Sequence, residues 1–210
     1  MPYSEPARTA ARRTRSTILA ALVVLSATLV GVLNRQSLAS PSSLAALPVD
    51  APHGERESAF AEDDGALPDG VTAFDDEYPG VANLDPDLLH ALRDAAIDAA
   101  DDGVKFFVNS GWRSAEYQDQ LLREAVSKYG SKEEAGRWVA TADTSPHVSG
   151  DAVDIGHSDA RAWLSEHGAK YGLCQIYRNE PGHYELRPEA IDHGCPTMYA
   201  DPTHDPRMRQ

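Results

Sequence analysis

Residues 18–33, ILAALVVLSATLVGVL, contain no charged side chain and follow a basic stretch holding Arg8, Arg12, Arg13 and Arg15. This feature constrains the chain most, because such a run does not belong to a water-soluble core and leaves the folded domain to the residues after it. Sixteen apolar residues fall short of the roughly 20 needed to cross a hydrocarbon core. The run suits the apolar segment of a secretory signal, with Ser37-Leu38-Ala39 at the spacing a signal peptidase requires. The other reading is an uncleaved N-terminal anchor with its arginines on the cytoplasmic side. Both predict that the remainder lies outside the cytoplasm, with membrane contact only through this anchor.

Beyond residue 39 the chain turns acidic. Residues 1–39 hold five of the 19 basic side chains and one of the 33 acidic ones, so the mature chain carries a formal charge of −18. Such a surface repels phosphate backbones and anionic lipid, which excludes nucleic-acid binding. Residues 40–80 are rich in Ala, Ser, Pro, Asp and Glu with no sustained apolar period, and predict an acidic flexible linker. Residues 81–205 then form one domain, large enough for a single core. Cys174 and Cys195 are the two cysteines, and an even number in an exported chain predicts a disulfide.

Within that domain Asp85-Pro86 starts a helix whose Leu88, Leu89, Leu92, Ala95, Ala96 and Ala99 recur at three- and four-residue spacing before Gly103. Lys105–Asn109 reads as a short strand. Ser114 caps a second helix, and Ser131 with Glu134 a third, running through Trp138. Residues 143–150 read as loop, Ala152–Ile155 as a strand, and Ala160–Tyr171 as a helix ended by Gly172. Cys174–Arg178 and Tyr184–Arg187 read as strands joined by a turn at Asn179–Gly182. Helices first and strands later predict an α+β fold, helices packed on one face of a small antiparallel sheet that carries a metal site.

Two stretches carry chemistry: Ser145-Pro-His147-Val-Ser-Gly150-Asp-Ala-Val-Asp154 and Glu180-Pro-Gly-His183-Tyr184. Catalytic zinc takes three imidazole or carboxylate ligands and keeps a position for water. His147 on a loop and Asp154 on the next strand can meet one ion because Gly150 lets the chain fold tightly between them. His183, just after a turn, supplies a third ligand, and Glu180 lies close enough to take a proton from the water. Spacing alone leaves this weak in a chain with eight histidines. Solvated surface histidines are the competing reading.

From about Asn109 to Glu185 the chain resembles the VanY-like D-alanyl-D-alanine carboxypeptidases of the M15 zinc metallopeptidase family. The likeness runs through Ser110-Gly-Trp-Arg113-Ser114, the SxHxxGxAxD box at Ser145–Asp154, Trp163-Leu164 with Tyr171-Gly172, and the ExxH element at Glu180–His183. It implies that His147, Asp154 and His183 bind Zn2+, that Glu180 is the general base, and that Arg113 stabilises the oxyanion. Taken alone, Arg113 reads as a helix-start arginine paired with a surface carboxylate. Ser145 and Ser114 either bind a substrate carboxylate or cap local backbone. Gln118 either faces the cleft or is an exposed helix residue. Glu185 is expected on the strand face away from the ligands. The family usually has tryptophan where this chain has Gly182, which predicts a widened subsite beside the metal.

The function implied is an exported zinc carboxypeptidase that hydrolyses the terminal D-Ala–D-Ala bond of a peptidoglycan peptide substrate. Two alternatives stay open: an endopeptidase or dipeptidase with the same chemistry, and a non-catalytic zinc-stabilised cell-wall binding module.

Overall fold

The computed structural model describes residues 62–209. The signal or anchor segment over 1–39, and the acidic stretch as far as residue 61, lie outside the described residues. Among the described residues no helix is long and apolar enough to cross a membrane.

A short turn α1, Pro79–Ala82, leads into the core helix α2, Pro86–Asp101. The Asp85 carboxylate accepts hydrogen bonds from the Asp87 and Leu88 backbone amides, and Pro86 fills a first-turn position where no bond is needed. Leu88, Leu89, Leu92, Ala95 and Ala99 form its buried stripe. There follow β1 (Val108–Ser110), α3 (Ala115–Tyr129), α4 (Lys132–Ala135), α5 (Pro146–Ser149), β2 (Ala152–Ile155) and α6 (Ser158–His167). After a 3-10 turn at Gly168–Tyr171 come β3 (Leu173–Gln175), β4 (His183–Leu186), α7 (Ala190–His193) and two further 3-10 turns at Pro202–His204 and Pro206–Met208.

The four strands make one open antiparallel sheet in the order β1-β2-β4-β3. Side chains alternate along a strand. Val108, Val153, Ile155 and Tyr184 therefore face the core with the stripe of α2 and with Trp163 and Leu164 of α6. Ala152, Asp154, His183 and Glu185 face the other way. The fold is α+β with a small antiparallel sheet, as expected; α2 and α6 pack on its core face, while α3 and α5 border the other.

Several boundaries differ. The third helix stops at Ala135, one turn after its Ser131 cap, because Gly136 follows and weakens continuation. The loop expected over 143–150 contains the turn α5. The β-type run at Lys105 enters the sheet only at Val108, since Phe106 goes into the core edge-on against Trp163.

The stretch expected to be linker joins the domain well before residue 81. Val71 and Ala73 are buried. The Val108 amide donates to the Val71 carbonyl at 2.8 Å, Trp112 to Gly80 at 2.8 Å, and Ser114 to Asp64 at 2.8 Å. Gly111 lies so close to this stretch that a Cβ there would sit 2.0 Å from the Gly80 carbonyl oxygen. At the other end Asp201 and Asp205 are buried and order continues through Met208, past the expected boundary at 205. Cys174 and Cys195 form a disulfide that ties this C-terminal stretch to β3.

Candidate metal centre and cleft

Asp154 and His183 are opposed across β2 and β4, a register that brings side chains on one face together. His147 arrives from α5, which begins at Pro146 and ends at Gly150 in the left-handed conformation (φ 84°). Only glycine fits there, since a Cβ would stand 2.6 Å from the Asn83 carbonyl oxygen. The His147 Nδ1–H donates to the Gly111 carbonyl at 2.8 Å, which leaves Nε2 to face Asp154 Oδ2 at 3.5 Å. His183 Nδ1 stands 3.3 Å from Asp154 Oδ1, yet it is buried and has no hydrogen-bond partner among the described residues. One ligand atom from each of the three residues lies within 4.8 Å of the others. Ligands about 2.1 Å from a shared tetrahedral ion stand roughly 3.4 Å apart. The unpartnered His183 nitrogen and these spacings fit a metal ion.

Arg113 follows β1 and points its guanidinium at the same carboxylate. Its Nε donates to Ser110 Oγ at 2.8 Å, one terminal nitrogen to Gln118 Oε1 at 3.2 Å, and the other to Asp154 Oδ2 at 3.0 Å. Glu180, on the turn before β4, lines the same cleft, and its Oε1 is buried with no partner among the described residues. The cleft holds about 250 Å³, with Leu121, Trp138, Val139 and Met208 among its apolar walls.

Burial, reinforced by the Arg113 charge, pushes the His147 imidazole down to about 3, so it is neutral at pH 7. Burial acts the same way on His183, but the Asp154 and Glu185 carboxylates outweigh it and push that imidazole up to about 9. Burial would raise Asp154; the two imidazoles and Arg113 around it hold it well below the usual carboxylate range. Burial pushes Glu180 up to about 7, against the pull of His183 and Arg113. The cleft thus places a fixed anion among cations beside a carboxyl poised to exchange protons near neutrality.

The remaining sequence expectations divide. Ser145 lines the cleft with its hydroxyl buried and without a hydrogen-bond partner among the described residues. Ser114 instead caps α3, accepting from the Tyr117 amide, and does not line the cleft. Gln118 lines the cleft, but its amide holds Arg113 on one side and donates to the Ala140 carbonyl on the other. It braces the arginine. Gly182 is not part of the cleft wall either. Its carbonyl accepts the Ile155 amide at 2.8 Å, and an added Cβ would come within 2.9 Å of the Ile155 oxygen. Glycine there allows a close approach of the turn to β2.

Glu185 corrects the sequence reading. Residues two apart on a strand share a face, and Glu185 Oε1 lies 3.2 Å from His183 Nε2. Period-two counting from His183 would have found it. Tyr177 carried no sequence signal. Its ring lies 5.0 Å from that of His183, and it also lines the cleft.

The VanY family profile, D-alanyl-D-alanine carboxypeptidase, matches residues 81–188, just over half of the chain. A D-alanyl-D-alanine carboxypeptidase of Enterococcus faecalis (strain ATCC 700802 / V583) is 35% identical over 139 residues, covering 53% of this chain and 52% of the relative. The chain therefore spans about half the length of that curated relative. Among solved structures, a mutant of the vancomycin-resistance D,D-pentapeptidase VanY from a VanB-type cassette, in complex with Zn(II), is similar at 28% identity, covering 53% of this chain and 80% of that one, TM-score 0.48. VanYB in complex with D-Alanine-D-Alanine gives 29% identity, 53% and 74% coverage, and TM-score 0.49. The LdcB LD-carboxypeptidase gives 22%, 63% and 74%, and 0.48.

Proposed function

This chain belongs to the VanY family of D-alanyl-D-alanine carboxypeptidases, and we propose that it is an exported, zinc-dependent carboxypeptidase releasing the terminal D-alanine from peptidoglycan stem peptides. One observation carries the reading: two imidazoles and a carboxylate converge within 4.8 Å, one nitrogen unpartnered, in a cleft that also holds Glu180 and Arg113. Two nitrogens and one oxygen are a donor set that zinc favours. When bound, zinc supplies Lewis acidity and makes water acidic near neutral pH.

The protein's own groups divide the remaining work. Glu180, whose Oε1 has no hydrogen-bond partner among the described residues, takes a proton from the water that attacks the penultimate carbonyl carbon. As the C–N bond breaks, Glu180 passes that proton to the departing D-alanine amine, which restores the carboxylate. Arg113 cannot swing away, being held by Ser110, Gln118 and Asp154, so its charge is in place where the carbonyl oxygen becomes negative. The unpartnered Ser145 hydroxyl is available to the terminal carboxylate of the substrate. Export is supported by the basic and apolar N-terminus and by the disulfide.

Purified protein should release D-alanine from a pentapeptide, and chelation or Glu180→Ala should abolish release. Turnover that survives both treatments refutes the mechanism. Mass spectrometry of digested peptidoglycan separates this reading from an endopeptidase or dipeptidase.

A further inference from the structure

The stretch from Cys195 to Met208 lies beyond the residues matched to the family, yet its Pro202 and Met208 line the cleft that holds the metal ligands. His183 turns Nδ1 toward Asp154 and donates from Nε2 to Glu185. Glu185 is fully buried, and its usefulness depends on both carboxylate oxygens being held. A carboxylate gripped at one oxygen rotates and carries the other away from the imidazole. Arg187 reaches Oε2 alone. Arg207 grips both, with one terminal nitrogen 2.7 Å from Oε2 and the other 3.2 Å from Oε1. Asp205, itself fully buried, fixes Arg207 by accepting from its backbone amide and its Nε, and accepts the Tyr177 hydroxyl at 3.0 Å.

We propose that Arg207 is a positioning residue of the metal centre, which through Glu185 fixes the His183 ring with Nδ1 aimed at the ion. The inference rests on the reading that His147, Asp154 and His183 hold a metal. Partners behind a metal-bound histidine change affinity by about 10–100-fold, so Arg207 acts on metal affinity without touching metal or substrate.

Chelator competition with zinc on the full chain tests this. Wild type should bind one equivalent, and Arg207→Gln should bind about 10–100-fold more weakly. Arg207→Lys should fall between, since one ammonium cannot span both oxygens. Glu185→Gln should lose as much as Arg207→Gln, and combining the two should cost nothing further, because they act in series. Asp201→Asn, which loosens the same stretch without touching Glu185, should keep wild-type affinity. Wild-type affinity in Arg207→Gln, additive losses in the double variant, or an equal loss in Asp201→Asn each overturns the proposal. Should Arg207→Gln not fold, Arg207→Lys decides: unchanged affinity overturns the proposal and weaker binding supports it. If wild type binds no zinc, the metal reading fails first and the inference with it.

Discussion

Burial raises the Glu180 carboxyl to about 7, and a divalent cation held by His147, Asp154 and His183 would pull it down. A general base must be ionised to act, so activity is lost as pH falls through its pKa. The acid limb of kcat/KM should therefore lie below pH 7; a limb at pH 8 or above would contradict Glu180 as the base. Glu180→Gln keeps the shape and removes the proton exchange, so kcat should fall by about 10²–10⁴ with zinc stoichiometry unchanged. Gly182 tests the close approach of its turn to β2. Gly182→Ala must push the turn off β2, and should cost roughly 1–3 kcal/mol, read from the urea midpoint.

At the scale of elements, the best-read parts are those whose signal is local. The cap at Asp85, Pro86 and the three- and four-residue spacing of α2 are all visible in its own residues. The convergence of His147, Asp154 and His183 was weak on spacing alone and became legible only through the resemblance carried by the motifs around them. Missed were the pieces held by distant backbone contacts, such as the Val71 carbonyl on Val108, which no periodicity announces. The C-terminal stretch was read only as far as residue 205, because Arg207 is held through its side chain by Glu185, 22 residues earlier. Its Asp201 would be raised by burial, but Thr203, His204 and Arg137 hold it at about 2. A carboxyl depressed in the folded state stabilises above its unfolded value near 3.9, and that contribution is lost as pH falls toward about 2. Asp201→Asn should therefore lower the melting temperature at pH 6, with the difference from wild type shrinking by pH 2.5.

Across the whole molecule, the disulfide closes a loop of 21 residues. Cys174→Ser with Cys195→Ser should cost roughly 3 kcal/mol in the chain-entropy account, lowering the melting temperature by on the order of 10 °C. Zinc at 100 times its Kd should raise stability by about 2.7 kcal/mol, and chelation should remove that gain. The place of β2 in the sheet bears on how the molecule assembles. Asp154 stands on an inner strand, with Ser110 opposite on one side and His183 on the other. Neither neighbour is close in sequence, so His147 is the one local partner the carboxylate has among the three groups of the centre while the chain collapses. The ligand set comes into being only when the middle and last thirds of the domain have docked. A refolding experiment that tracks metal capture would therefore time the pairing of β2 with β4, and a nascent chain still missing β4 would be inert.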